Sequence, residues 1–180
     1  MALNATLYSF EINLSDSDRN VYQSLAFRAA KHPSETDEYL MTRVLAYCLE
    51  YREGLSFSKG GLSEPDAPAL AVRDLTGEIV RWIEIGLPEP ARLHRAGKAS
   101  PQVAVYSHKD VSLLLTRLAS EKIHRADDIQ INTFDRELIA SLCARLTRRM
   151  SFDLVVTERQ LYLSLGEDTI SGSLVRHSLE

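Results

Sequence analysis

The order of strand-like and helix-like apolar patterns along the chain restricts its fold more than any single residue does. From Thr6 to Leu14, the residues Tyr8, Phe10, Ile12 and Leu14 alternate with Leu7, Ser9, Glu11 and Asn13, the period-two signature of a strand with one buried face. Ser15-Asp16-Ser17-Asp18 turns the chain, and Val21 to Ala29 reads as the returning strand of a hairpin ended by His32-Pro33. The period then lengthens. Ser34 is placed to cap a helix whose third position is Asp37, and Leu40, Met41, Val44, Leu45 and Cys48 repeat at helical spacing to about Arg52.

Beyond the Lys59-Gly60-Gly61 loop, Ala69 to Asp74 and Ile79 to Ile85 form a second predicted hairpin about Thr76-Gly77. Leu87-Pro88-Glu89-Pro90 starts a helix that carries Arg92, His94, Arg95 and Lys98, since proline is tolerated in a first turn. Val103 to Tyr106 is a short buried strand, followed by a helix with Val111, Leu114, Leu115 and Leu118 and a strand around Ile129 to Asn132. A further helix presents Phe134, Leu138, Ile139, Leu142, Cys143 and Leu146, and Phe152 to Val156 with Leu161 to Leu165 give a last pair of strands. From Ser171 onward the tail reads as loosely held. Two hairpins interleaved with helices predict an α/β fold, a mixed sheet flanked by helices, over either all-β or all-α architecture. No repeat, low-complexity stretch or composition break divides the chain, so residues 1–180 are expected to form one domain.

Bulk properties narrow the function. At 180 residues one sizeable core is available, and 44% hydrophobic with 26% charged residues is an ordinary globular balance. A net charge of -4 argues against a broad basic face that coats nucleic acid, though it permits a local basic patch. Cys48 and Cys143 each fall in an apolar helical pattern, which favours buried thiols over a disulfide and fits a reducing compartment. Without a signal-like start or an apolar run near the ~18 residues of a membrane span, the expectation is a cytoplasmic protein with no membrane association. The histidines His32, His94, His108, His124 and His177 show no zinc-ligand spacing, no serine sits in a nucleophile elbow, and no glycine-rich stretch forms a nucleotide loop.

The chemistry-bearing stretch is Glu64-Pro65-Asp66 followed by Trp82-Ile83-Glu84-Ile85-Gly86. Glu84 is embedded among Ile79, Val80, Ile83 and Ile85, where a carboxylate is costly to bury unless paired or bound to a cation. A turn at Thr76-Gly77 sets Glu84 opposite about Ala69, which leaves Asp66 about three residues along the hairpin. Pro68 cannot donate to a ladder and is expected to bend that strand, swinging Asp66 toward Glu84. Two carboxylates with waters and the Ile85 carbonyl are the oxygen ligands Mg²⁺ prefers, and a metal there activates water at a phosphodiester. Tyr106 and His108, at the end of a neighbouring strand, are candidates to line the same mouth.

Three segments carry a family resemblance: Met1-Ala2-Leu3-Asn4-Ala5-Thr6-Leu7-Tyr8, His32-Pro33-Ser34-Glu35-Thr36-Asp37-Glu38 and Trp82-Ile83-Glu84-Ile85-Gly86-Leu87-Pro88. Over essentially the whole chain they resemble the YaeQ family of bacterial proteins, and through it the PD-(D/E)XK, restriction-endonuclease-like fold. The resemblance implies Asp66 and Glu84 as catalytic acids and Mg²⁺ ligands, with Glu35 as an auxiliary acid. Gly86 stands where that motif has lysine. Arg95 on the following helix is the implied replacement, as a phosphate or water contact because arginine stays protonated. Arg92, Lys98 and Tyr106 are the expected substrate contacts. The expected function is that of a metal-dependent nuclease-like protein acting on nucleic-acid phosphodiesters; the alternative is a non-catalytic binding or regulatory module that keeps the fold.

Overall fold

The computed structural model describes residues 4–58 and 66–179. The expected loop at Lys59-Gly60-Gly61, together with Glu64 and Pro65, lies outside them. Ten strands form one mixed sheet: β1 (Thr6–Asp16), β2 (Val21–Lys31), β3 (Leu55–Phe57), β4 (Leu70–Arg73), β5 (Ile79–Ile85), β6 (Val103–Ser107), β7 (Gln130–Phe134), β8 (Arg149–Thr157), β9 (Gln160–Leu165) and β10 (Asp168–His177). Four α-helices accompany them among the described residues, α1 (Asp37–Leu49), α2 (Pro90–Ala99), α3 (Ser112–Ser120) and α4 (Arg136–Ala144). The spatial order is β2-β1-β8-β9-β10-β7-β6-β5-β4-β3. Among the described residues only β1–β8, β5–β6 and β6–β7 pair in parallel.

The first hairpin forms as its alternation predicts, with Phe10 opposite Phe27 and Ile12 opposite Leu25. The second is also close to expectation. Leu70 lies opposite Ile83, the register that sets Ala69 level with Glu84 as expected, and a bulge between Val72 and Arg73 shifts the pairing by one residue only near the turn. Three expectations are corrected. Thr36, not Ser34, caps α1, its Oγ1 accepting the Tyr39 N–H at 3.1 Å, so Glu35 precedes the helix instead of occupying its first turn. The short strand β3, missed in the sequence, has only three residues and no room to display a period. The tail after Ser171 is a full strand, β10, tied to β9 on one side and β7 on the other.

Helix α1 sits where the sheet curls over it. Seven consecutive residues, Leu40 to Ala46, are buried, and a helix buried on all sides cannot be a surface helix with one apolar stripe. The two edge strands approach each other across it. Phe27 of β2 and Phe57 of β3 lie 5.8 Å apart between ring centroids, and both stack or tilt against Tyr47 of α1. The sheet is therefore nearly closed around α1. Its other face, over β5, β6 and β7, is covered by α2 and α3 through a separate apolar cluster containing Trp82, Leu93, Val105, Leu114 and Ile131. Strand β5 is thus covered on both faces, which is why it reads as a continuous apolar run. No described helix is long and apolar enough to cross a membrane.

Candidate functional site

Glu84 lies near the end of β5 on the face toward α2, the same face as Trp82 two residues earlier. It is 4% exposed. Its Oε1 accepts two hydrogen bonds, from Trp82 Nε1 at 2.6 Å and from Arg92 Nε at 2.8 Å. The second nitrogen of Arg92 donates to the carbonyl of Ala67, so one guanidinium links the end of β5 to the approach to β4. Arg92 is in position to do this because Pro90 starts α2 immediately after the strand, placing residue 92 in the first turn. Burial pushes the Glu84 carboxyl above its ordinary range, while the Trp82 hydrogen bond and the charge and hydrogen bond of Arg92 act in the opposite direction and reduce the rise.

Asp66 is exposed, adjacent in sequence to the Ala67 carbonyl that Arg92 holds. Arg95 and Lys98 are exposed on α2; the cation that meets Glu84 is Arg92, not Arg95. Glu35 is buried against Arg43, with Oε2 3.2 Å from Nη2, and Arg43 also donates to the Ala30 carbonyl at 2.6 Å. Among the described residues, Glu35 Oε2 and Arg43 Nε have no hydrogen-bond partner of acceptable geometry. Tyr106 does not line the mouth beside Glu84. Its side chain projects from the opposite face of the sheet, and its hydroxyl donates to Glu50 Oε1 at 2.6 Å.

Gly86 explains the missing lysine in physical terms. Its φ is +91°, a left-handed conformation that ends β5 and that a side chain adopts only with strain. A lysine there would be neither relaxed nor continued on a strand face. Tyr39 of α1 packs beside this glycine, 3.9 Å from where a Cβ would sit, and burial pushes its phenol up to about 12. Metal ligation has little to work with at this end. Among the described residues no three His, Cys, Asp or Glu side chains group closely enough to hold an ion, and the more engaged oxygen of Glu84 already accepts two donors. With Oε1 of Glu84 held by Trp82 and Arg92, this arrangement does not present Asp66 and Glu84 together to a resident Mg²⁺.

Sequence reasoning missed a second polar cluster, on the α1 side of the sheet. On that face polar side chains precede apolar ones along three neighbouring strands: Arg81 before Ile83 within β5, Gln102 just ahead of β6 before Ala104, and Gln130 and Asn132 before Phe134 in β7. The polar starts lie beyond the end of α1, where Glu50 receives Arg81 Nε at 2.6 Å, Arg81 Nη2 at 2.8 Å, Arg52 Nη2 at 3.2 Å and the Tyr106 hydroxyl. The signal that could have found it is this polar-before-apolar order repeated in three strands, each instance reading as an imperfection when taken alone.

Comparison with known proteins places the chain. The family model described as "YaeQ protein" matches residues 1–174. The protein described as "Uncharacterized protein YaeQ" from Escherichia coli (strain K12) is 29% identical over 175 residues, covering 97% of this chain and 96% of that one. Its counterpart from Salmonella typhi is 31% identical over 165 residues, with 91% of each covered. Among solved structures, the YaeQ protein from Xanthomonas axonopodis pv. citri superposes with a TM-score of 0.87 at 28% identity, over 97% of this chain and 98% of that one. The YaeQ protein from Pseudomonas syringae gives 0.85 at 28% identity, over 97% and 96%. With the family model spanning nearly the whole chain and the mixed sheet with its four helices shared by these structures, the chain belongs to the YaeQ family.

Proposed function

We propose that this protein is a non-catalytic binding module carried on a nuclease-like framework. The observation that carries the reading is the state of Glu84: the acid expected to hold a metal is held instead by Trp82 and by the guanidinium of Arg92. A cation of the protein's own stands where an exchangeable one would be needed, and at position 86 a positive φ disfavours the lysine that would position water. The element order around this end, α1, then β3, β4 and β5, then α2 and β6, supports the nuclease-like ancestry of the framework. The free thiols Cys48 and Cys143 suit a reducing, cytoplasmic setting.

One observation favours a second reading. Arg92 ties the Ala67 carbonyl to Glu84, which draws the segment carrying Asp66 toward the end of β5. In that reading Asp66 and Glu84 share Mg²⁺ once Arg92 swings aside, Glu35 is the auxiliary acid, and Arg95, Lys98 and Arg92 meet nucleic-acid phosphates. The two are separated by calorimetry with Mg²⁺ and Mn²⁺ and a cleavage screen on single- and double-stranded DNA and RNA. The module reading expects no saturable heat and no cleavage. Metal-dependent cleavage that Glu84→Ala and Asp66→Ala both abolish would replace it with the second reading.

A further inference from the structure

At the end of α1 remote from Glu84, the starts of β5, β6 and β7 and the turns β1–β2 and β8–β9 enclose a cavity of about 440 Å³, within the size range of small-molecule sites. Five arginines line it, Arg19, Arg52, Arg81, Arg159 and Arg176, against three carboxylates, Asp16, Asp18 and Glu50. That is an excess of two positive charges in a chain whose net charge is -4. The carboxylates are already committed. Asp16 pairs with Arg19 at 2.9 Å, Glu50 is shared by Arg81 and Arg52, and Asp18 accepts the backbone N–H groups of Glu158 and Arg159 at 2.7 and 3.0 Å. Among the described residues Arg159 and Arg176 make no ion pair.

The cavity is held in shape before any ligand arrives. Arg81, 7% exposed, is fixed by Glu50, Gln102 and Gln130. Arg176 Nε donates to Asn132 Oδ1 at 3.2 Å. Glu158 and Arg159 both have positive φ, at 49° and 59°, a two-residue turn that suits a hairpin but strains side chains other than glycine. The Asp18 carboxylate stabilises that turn and so directs Arg159 to the rim. Burial lowers the Arg52 guanidinium below its ordinary value, Glu50 opposes this, and the crowding charges of Arg81 and Arg19 add to the fall.

A second hollow of about 740 Å³ adjoins the first and shares Gln130, Arg159 and Arg176 with it. It adds Asp127, Asp128, His177 and Leu179. Its acids would repel a continuing phosphodiester chain but can accept hydrogen bonds from hydroxyl or amino groups. We propose that the arginine cavity binds the phosphate of a small phosphate monoester, of nucleoside-monophosphate or sugar-phosphate size, whose uncharged polar part rests in the adjoining hollow. Guanidinium forks match phosphate oxygens in pairs, and the acids outside select a small molecule over a polynucleotide. This assignment is independent of whether the Glu84 end is catalytic.

The test is titration calorimetry on the full chain at physiological salt with ribose 5-phosphate, AMP, adenosine, inorganic phosphate and a short 5′-phosphorylated single-stranded oligonucleotide. Saturable binding of at least one monoester, with adenosine silent, is expected. Inorganic phosphate binding weaker than the monoester places the recognition partly in the adjoining hollow. The exposed variants Arg159→Glu and Arg176→Glu, with folding checked by circular dichroism, are each expected to lose at least tenfold in monoester affinity. Absence of saturable binding by every monoester, equal binding of adenosine, inorganic phosphate binding as tightly as every monoester, tighter binding of the oligonucleotide, or affinity unchanged in both variants would overturn the assignment.

Discussion

Strand β5 carries two buried acid–arginine clusters, one on each face and toward opposite ends, and they are built differently. At Glu84 one oxygen takes an indole and one guanidinium, and Arg92 is partly open, its side chain 22% exposed. At Glu50 both oxygens are engaged by four donors from three residues, and Arg81 has only 8% side-chain exposure. The first closes a site with a cation of the protein. The second leaves cations over at the mouth of a cavity. Burial of charge alone therefore does not mark a functional site; what matters is whether the local account of charges and hydrogen bonds closes on itself.

The largest effect that could break this comparison comes from Glu50→Ala, which strands a buried guanidinium and a buried phenol together. We expect a loss of about 3–5 kcal/mol in urea denaturation, the range for breaking a buried pair from one side. Glu84→Ala is expected to cost less, about 2 kcal/mol, because Arg92 can turn to water. Equal losses at the two positions would remove the distinction. Gly86→Lys, which puts a side chain at a left-handed position, is expected to destabilise by about 1–2 kcal/mol and to leave a cleavage screen negative.

Glu84→Gln is the mildest change and the sharpest for electrostatics, since an amide oxygen can still accept from Trp82 and Arg92. Its stability is expected to stay within about 1 kcal/mol of the parent at neutral pH. The sign of the pH effect follows from a folded carboxyl held above its unfolded value of 4.5. Between the two values the folded state binds more protons, so the parent loses stability as pH rises from 4.5 through the raised value. The glutamine variant should lack that decline, which denaturation at a series of pH values reads directly.

Much of the scaffold was legible in the sequence because both hairpins and all four helices have local periods. The alternation at Tyr8, Phe10 and Ile12 and the turn at Thr76-Gly77 fixed register almost to the residue. What was not legible is nonlocal. No pattern in β1 announces that it pairs in parallel with β8, with Phe10 beside Met150, and the end of β10 resembled a tail because Leu174 to His177 pair with β7, which is distant in sequence, whereas the start of the strand pairs with the adjacent β9. At the site, the cost of burying Glu84 called for either a paired side chain or a bound cation, and the partners in the structure are Trp82 and Arg92. The choice between Arg92 and Arg95 depended on where Pro90 begins the helix turn, a matter of one rotation about an axis. Tyr106 was misplaced because its face on β6 was taken from position along the strand, without its parity.

The parallel pairing of β1 with β8 has a consequence for how the chain is made. During translation the first hairpin leaves the ribosome well before its partner strand, and α1 follows with Leu40 to Ala46 still lacking their cover. Until β8 arrives, one long side of β1 stays open and adhesive. About a hundred residues of synthesis separate the central helix from the strand that completes its wrapping, so that contact is among the most nonlocal in the fold.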